Sequence, residues 1–285
     1  MGPWPVRHSC PLPSPDGQVP ANGRGLNQDM IDTKRLFDLS GSTALVTGAS
    51  GALGAHFARV LHAAGARVVL AARRVEALEA LAAELGDGAT TVALDVARPE
   101  SVAAAFEAAE AAFGAPCGII VNNAGIAVSK PALQQTAADW DSVLEVNLRG
   151  CFLVATEAAR RLVAAKRGGA IVNIASIGGL RILQGVAGYT ASKAGLVQLT
   201  KQLAVEWARY GIRVNALCPG YVETPINTEF FASEAGQAVV KRVPQRRLGQ
   251  PADLTGPLLL LASPAGAHMT GATLVVDGGH SVNAL

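Results

Sequence analysis

The chain has 285 residues, half of them hydrophobic, enough to bury one large α/β core plus a tail rather than two separate domains. Its formal charge is +2 at pH 7 and its 24 lysines and arginines are dispersed without an interleaved aromatic run, so nucleic acid is not an expected partner. The longest apolar runs, such as Leu258-Leu259-Leu260-Leu261-Ala262, fall far short of the roughly 20 residues that span a bilayer.

Residues 1–29 carry six prolines and no apolar periodicity, which predicts a disordered extension ahead of a domain over residues 30–285. Met30, at the edge of the ordered pattern, is a candidate start of translation. Cys10, Cys117, Cys151 and Cys218 are scattered without metal or redox spacing, and read as buried thiols of a cytoplasmic protein with no metal site.

From Thr43 onward, short β-branched or leucine-rich runs alternate with alanine-rich helical stretches. The runs fall at residues 44–47, 67–70, 91–94, 119–121, 171–174, 213–217 and 273–276. Their apolar residues are continuous rather than at every second position, so both faces of each strand are expected to be covered. Seven strands in this rhythm predict an α/β, doubly wound parallel sheet with helices on both faces and ligands at the carboxyl ends of the strands.

The first strand runs into Thr47-Gly48-Ala49-Ser50-Gly51-Ala52-Leu53-Gly54 and then a helix. A glycine-rich strand-to-helix turn lets backbone N–H groups reach a pyrophosphate, whose charge the helix N-terminus favours. The second strand leads into Ala72-Arg73-Arg74, where a site selective for NAD would carry an acidic residue for the ribose hydroxyls. Arginine forks onto phosphate, so Arg73 and Arg74 point to the 2′-phosphate of NADP, with NAD as the alternative.

Tyr189 and Lys193 are four residues apart, which on a helix stacks them on one face. A phenol with a pKa of about 10 carries protons poorly near neutrality unless a fixed cation stabilises the phenolate. Ser176, thirteen positions before Tyr189, ends the apolar run 170–175 and would stand at a strand end where a substrate carbonyl could meet it.

With these residues in hand, the chain from about residue 39 to 282 resembles a short-chain dehydrogenase/reductase of the Tyr-x-x-x-Lys subgroup, a single Rossmann-like domain. Thr47 to Gly54 is similar to the family's TGxxxGxG loop, except that Ala52 replaces the second glycine. The resemblance implies Thr47, Gly48, Ser50, Gly51, Leu53 and Gly54 at the cofactor, Asp95 and Val96 at adenine, and the turn Asn122-Asn123-Ala124-Gly125 beside them. It implies that Pro219, Gly220, Val222 and Thr224 form the loop on the nicotinamide side.

The same resemblance implies Ser176, Tyr189, Lys193 and Asn147 as the catalytic set: Tyr189 moves the proton, Ser176 bonds the carbonyl oxygen, Lys193 also holds the nicotinamide ribose, and Asn147 holds a water that resupplies protons. Residues 225–244 would form a helical lid, and Arg242, Arg246 and Arg247 could meet an anionic substrate. The implied activity is NADP(H)-dependent interconversion of a small-molecule ketone and secondary alcohol, with 3-oxoacyl thioesters ahead of sugars and other alcohols. A homotetramer is implied through helices near residues 139–165 and 187–209 and through the C-terminal strand. A non-catalytic cofactor-binding regulatory protein is the alternative, against which the filled catalytic positions argue.

Overall fold

The continuous apolar runs become strands because each one is covered on two sides. A computed structural model describes residues 32–225 and 227–283 of the chain. The expected extension 1–29, the candidate start Met30, and Ile226 of the expected lid lie outside the described residues. The chain divides after Thr33 into an N-terminal unit, of which only Asp32 and Thr33 are described, and a unit from Lys34 that holds every strand.

The strands are β1 (Thr43–Thr47), β2 (Arg67–Ala72), β3 (Ala89–Ala93), β4 (Ile119–Asn122), β5 (Gly169–Ile174), β6 (Ile212–Pro219) and β7 (Thr273–Val276). All pair in parallel in the order β3-β2-β1-β4-β5-β6-β7. Between β1 and β4 the winding changes direction, and the crevice outside their carboxyl ends is the switch point where such sheets bind ligands. The helices are α1 (Thr33–Leu36), α2 (Ala52–Ala63), α3 (Glu79–Leu85), α4 (Pro99–Phe113), α5 (Ala137–Leu144), α6 (Cys151–Ala164), α7 (Ala187–Trp207), α8 (Thr228–Ala232), α9 (Glu234–Arg242) and α10 (Thr255–Ala262).

Successive strand residues point to opposite faces. Ala44 and Val46 of β1, with Val68 and Leu70 of β2, meet Phe57 and Leu61 of α2 and Leu258 of α10. Leu45, Val69, Ile120 and Ile171 face the other way, onto Phe106 of α4, Val154 and Leu162 of α6, and Leu203 of α7. Each fully buried Leu, Ile or Phe contributes about 1.5–3 kcal/mol by leaving water, so the two layers hold the strand ends in fixed register.

Three features depart from the expected pattern. β3 starts at Ala89, two residues before the expected run, because its backbone already pairs with Val68 there. β6 continues to Pro219, paired with Val276, and the N–H of Gly220 then bonds the Val276 carbonyl at 2.9 Å. The long helix expected near 139–165 is α5 and α6 joined through a π-helical turn, Glu145–Gly150. Among the described residues no helix is long and apolar enough to cross a membrane.

Phe57 has no exposed surface and ties α2 to the sheet directly behind the glycine turn. Phe57→Ala is expected to cost about 3–5 kcal/mol, read as a lower denaturant midpoint with an unchanged slope. A change in midpoint within error would show that α2 is not anchored by this side chain.

Candidate active site

The glycine turn is shaped by two of its three glycines. Gly48 has φ +64°, a conformation L side chains rarely adopt, and a Cβ on Gly54 would lie 2.3 Å from the Gly48 carbonyl oxygen. Gly51 is the N-cap of α2 and has room: a Cβ there would meet only the Gly48 oxygen, at 3.5 Å. Ala52 is the exposed first residue of α2, so the departure from the family pattern leaves the turn's geometry with Gly48 and Gly54. The α2 N-terminus has no side-chain cap among the described residues, so its first N–H groups await an acceptor from the cleft.

That cleft has a volume of about 800 Å³. Of the residues expected at the cofactor, Gly48, Ser50, Gly51, Leu53, Gly54, Arg73, Asp95, Val96, Asn123, Ala124, Gly125 and Thr224 line it. Arg73, just past β2, is exposed and makes no hydrogen bond or ion pair among the described residues. Asp95 is the one carboxylate among the described lining residues, and its Oδ1 is engaged by the N–H of Ala97 at 3.0 Å. The cleft over the glycine turn, the uncapped helix and the free guanidinium together fit a phosphorylated dinucleotide.

The remaining expected residues stand behind the cleft and hold it. Thr47 Oγ1 accepts from the N–H of Asn123 at 3.0 Å and of Ala124 at 2.9 Å, locking the ends of β1 and β4 together. Asn123 Nδ2 donates to the Thr47 carbonyl at 2.9 Å. Asn122 is buried and turned into the sheet, where its Nδ2 donates to Asn173 Oδ1 at 2.9 Å. Gly220 lies so close to Asp277 that a Cβ would come within 2.7 Å, Pro219 closes β6, and Val222 is buried in a bridge to Gly249. Arg74 is exposed and does not line the cleft.

Lys193 is only 4% exposed, yet its Nζ is partnered, donating to the carbonyl of Ile174 at the end of β5 at 2.7 Å. One turn earlier on α7, the Tyr189 ring centroid lies 5.7 Å from that Nζ. Ser176 caps a turn at Ile177–Gly179, its Oγ accepting from the Gly178 N–H at 2.9 Å. A Cβ on Gly178 would lie 3.3 Å from Ser176 Oγ and 3.4 Å from Tyr189 Cε1, so this glycine lets serine and tyrosine converge. A Cβ on Gly125, in the cleft wall, would lie 3.3 Å from Asn147 Oδ1 and 3.6 Å from Lys193 Nζ. The cleft and the Tyr-Lys-Ser group therefore adjoin.

Asn147 stands in the π-helical turn, fully buried. Its Oδ1 accepts from the Ile126 N–H at 2.8 Å, and its Nδ2 donates to the Ile126 carbonyl at 2.8 Å and to Ser192 Oγ at 3.1 Å. Ser192 in turn donates to the Tyr189 carbonyl at 2.7 Å. Ser192 was missed by the sequence reading; only its place inside the Tyr-to-Lys turn signals it. Gly150 closes the turn where a Cβ would meet Val96 Cγ2 at 2.7 Å, and Arg149 donates to the Ala97 carbonyl at 2.8 Å.

Burial pushes the thiols of Cys151 and Cys218 up to about 11, so both flank the site as neutral, unreactive groups. Among the described residues no group of histidines, cysteines and carboxylates could hold a metal ion.

Residues 48–281 match the family model described as enoyl-(acyl carrier protein) reductase. The chain is similar to the galactitol 2-dehydrogenase (L-tagatose-forming) of Cereibacter sphaeroides, 41% identical over 256 residues, covering 88% of this chain and 100% of that protein. It is also similar to a 3-oxoacyl-acyl-carrier-protein reductase of Rickettsia bellii, 37% identical, covering 86% of this chain and 98% of that protein. Among solved structures, the gluconate 5-dehydrogenase of Burkholderia cenocepacia J2315, in complex with NADP and tartrate, superposes with a TM-score of 0.84 at 38% identity, covering 88% and 99% of the two chains. With its seven-stranded sheet, glycine turn and Tyr-x-x-x-Lys helix, the chain belongs to the short-chain dehydrogenase/reductase family and is an oxidoreductase of the kind that acts on CH–OH groups.

Proposed function

We propose that this chain is an NADP(H)-dependent oxidoreductase that interconverts a ketone and a secondary alcohol, with Tyr189 as general acid and base. The observation that carries the reading is the convergence of Ser176, Tyr189 and Lys193 beside the cleft that begins at the glycine turn.

When bound, the cofactor supplies or accepts the hydride. The turn from Thr47 to Gly54 would hold its pyrophosphate, Arg73 its 2′-phosphate, Asp95 and Val96 its adenine, and Val222 and Thr224 would border its nicotinamide. Lysine has three N–H donors; Lys193 gives one to Ile174 and has two left for ribose hydroxyls. The Ser176 oxygen accepts from Gly178, which leaves its own O–H to donate to the substrate carbonyl oxygen. Tyr189 gives its proton to that oxygen in reduction and takes it back in oxidation, with the Lys193 ammonium facing the charge that develops on the phenol. Asn147 keeps one lone pair on Oδ1 for a water that connects Lys193 to solvent.

The relatives named above act on a polyol, a sugar acid and a 3-oxoacyl carrier, so polyols, sugar acids and 3-oxoacyl thioesters make up the substrate field. The three described cysteines, free and buried, suit a cytoplasmic setting. We also read the chain as a homotetramer. What supports this is a groove of about 740 Å³ in which Leu144, Leu148, Phe152 and Leu199 are ringed by Asp141, Glu145 and Arg149, an apolar centre with a charged border on the helices expected at the interface.

Tyr189→Phe is expected to lower turnover by about 10²–10⁴-fold while NADPH fluorescence titration gives an unchanged Kd; retained turnover would remove Tyr189 from its role. In Arg73→Asp, NADPH should bind at least about tenfold more weakly relative to NADH, and an unmoved ratio of dissociation constants would refute that contact. Phe152→Glu should reduce the assembly seen by light scattering, whereas an unchanged mass would put the interface elsewhere. Absorbance assays with NADPH against diketones, keto-sugars and acetoacetyl-CoA test the activity as a whole.

A further inference from the structure

The loop from Ser176 to the start of α7 brings one apolar side chain to the catalytic group, and Gly178 locates it. A Cβ on Gly178 would lie 2.9 Å from Leu183 Cδ1, 3.3 Å from Ser176 Oγ and 3.4 Å from Tyr189 Cε1, so one methyl-sized space borders all three. Leu183 is half-buried, whereas Ile182 beside it is 94% exposed. The loop therefore turns the leucine in and its neighbour out. Leu183 is a wall beside the two hydroxyls that would receive the carbonyl oxygen.

The segment that carries this wall is neither helix nor strand, and such backbone keeps one course only where it is tied down. It is tied on each side of Leu183. Two residues after it, the Gly185 carbonyl accepts from the Lys130 N–H at 2.8 Å. Lys130 Nζ is itself held by the Asp139 carboxylate, at 2.9 and 2.8 Å, in the capping box of α5. Two residues before Leu183, the tie is a side chain. Arg181 Nη1 donates to the Ser281 carbonyl at 2.5 Å and to the Asn283 carbonyl at 3.2 Å. Among the described residues Arg181 has no acidic partner, and its acceptors are carbonyls at the 3-10 turn His280–Val282, where a cation is favoured.

That turn is fixed without help from Arg181. Asp277, at the close of β7, accepts from the Gly279 N–H at 2.9 Å and from the Ser281 N–H at 2.6 Å. The His280 ring lies 5.5 Å from the Tyr221 ring, and Asn283 Nδ2 donates to the Arg242 carbonyl at the end of α9 at 3.0 Å. Residues 280–283 thus form a post standing on β7, and the loop is moored to it by one guanidinium.

Building on the oxidoreductase reading above, we propose that Arg181 is a positioning residue for substrate binding: by clamping the C-terminal turn it holds Leu183 in the wall beside Ser176 and Tyr189. Arg181 touches no reacting atom, and its effect passes through the leucine. A lysine there keeps the charge but not the planar fork of donors, so it would hold the turn less firmly.

The test compares the full chain with Arg181→Ala, Arg181→Lys, Leu183→Ala and a variant carrying both alanine changes. The substrate is whichever of 5-keto-gluconate, acetoacetyl-CoA and butanedione the wild type reduces fastest with NADPH. Arg181→Ala should raise KM for it about tenfold with kcat nearly unchanged and with the NADPH Kd unmoved, and Arg181→Lys should recover part of the loss. Leu183→Ala should raise KM as well, and the double variant no further than the larger single change, because both remove one wall. Amide hydrogen exchange adds a readout independent of turnover. The bonded amides of Leu180, Arg181, Ser281 and Asn283 should exchange about tenfold faster in Arg181→Ala. An unchanged KM, effects that multiply in the double variant, or unaltered exchange would overturn the proposal while leaving the oxidoreductase reading intact. No NADPH oxidation with any probe would remove that reading, and exchange would still decide whether Arg181 holds the loop.

Discussion

A buried cation at the end of a central strand is the constraint on which the site depends. Lys193 is almost wholly removed from water, and an ammonium in that position is tolerated only when it is partnered. The partner is the carbonyl of Ile174, the last residue of β5. The bond therefore ties the middle of α7 to a fixed point of the sheet. Because Tyr189 precedes Lys193 by one helical turn, the same bond sets where the phenol stands. Ser176, two residues past Ile174, is placed by the strand that supplies the carbonyl. One contact thus sets the position of three functional side chains from two elements.

The packing of β5, β4 and β1 carries that precision to the cofactor cleft. Thr47 fastens β1 to the turn after β4, and Asn122 reaches from β4 to Asn173 on β5. These buried polar bonds run across the carboxyl edge of the sheet, where backbone partners run out and a misplaced strand end would leave orphaned groups. The glycine turn and the catalytic group share one rigid floor.

The sheet was legible because strands buried on both faces are mostly apolar, so stretches such as Ala44 to Thr47 and Ile171 to Ile174 stood out even with a buried asparagine at 173. The catalytic trio was legible because its spacing reflects one helical turn and one strand end. Other parts were not. Whether Asn122 and Asn123 face a ligand or the protein depends on which strand lies alongside, and the sequence carries no trace of that neighbour. The same is true of Ser192, whose hydroxyl matters through Asn147 from another helix. Arg242, Arg246 and Arg247 read alike as letters, and only the positions of Asp253 and the Lys241 carbonyl tell them apart. The substitution at Ala52 proved local, since close backbone approach falls on Gly54 rather than on its neighbour.

The π-helical turn at Glu145–Gly150 holds one more residue than an α-helical turn would. Asn147 reaches Ile126 and Ser192 from within that widened turn, while α6 resumes beyond it with its apolar face on the sheet. In an α-helix each residue advances the face by about 100°. Loss of a single residue here is expected to return the segment to a regular α-helix with the faces of α5 and α6 still aligned, so that the asparagine's reach to Ile126 and Ser192 is lost before the core packing is.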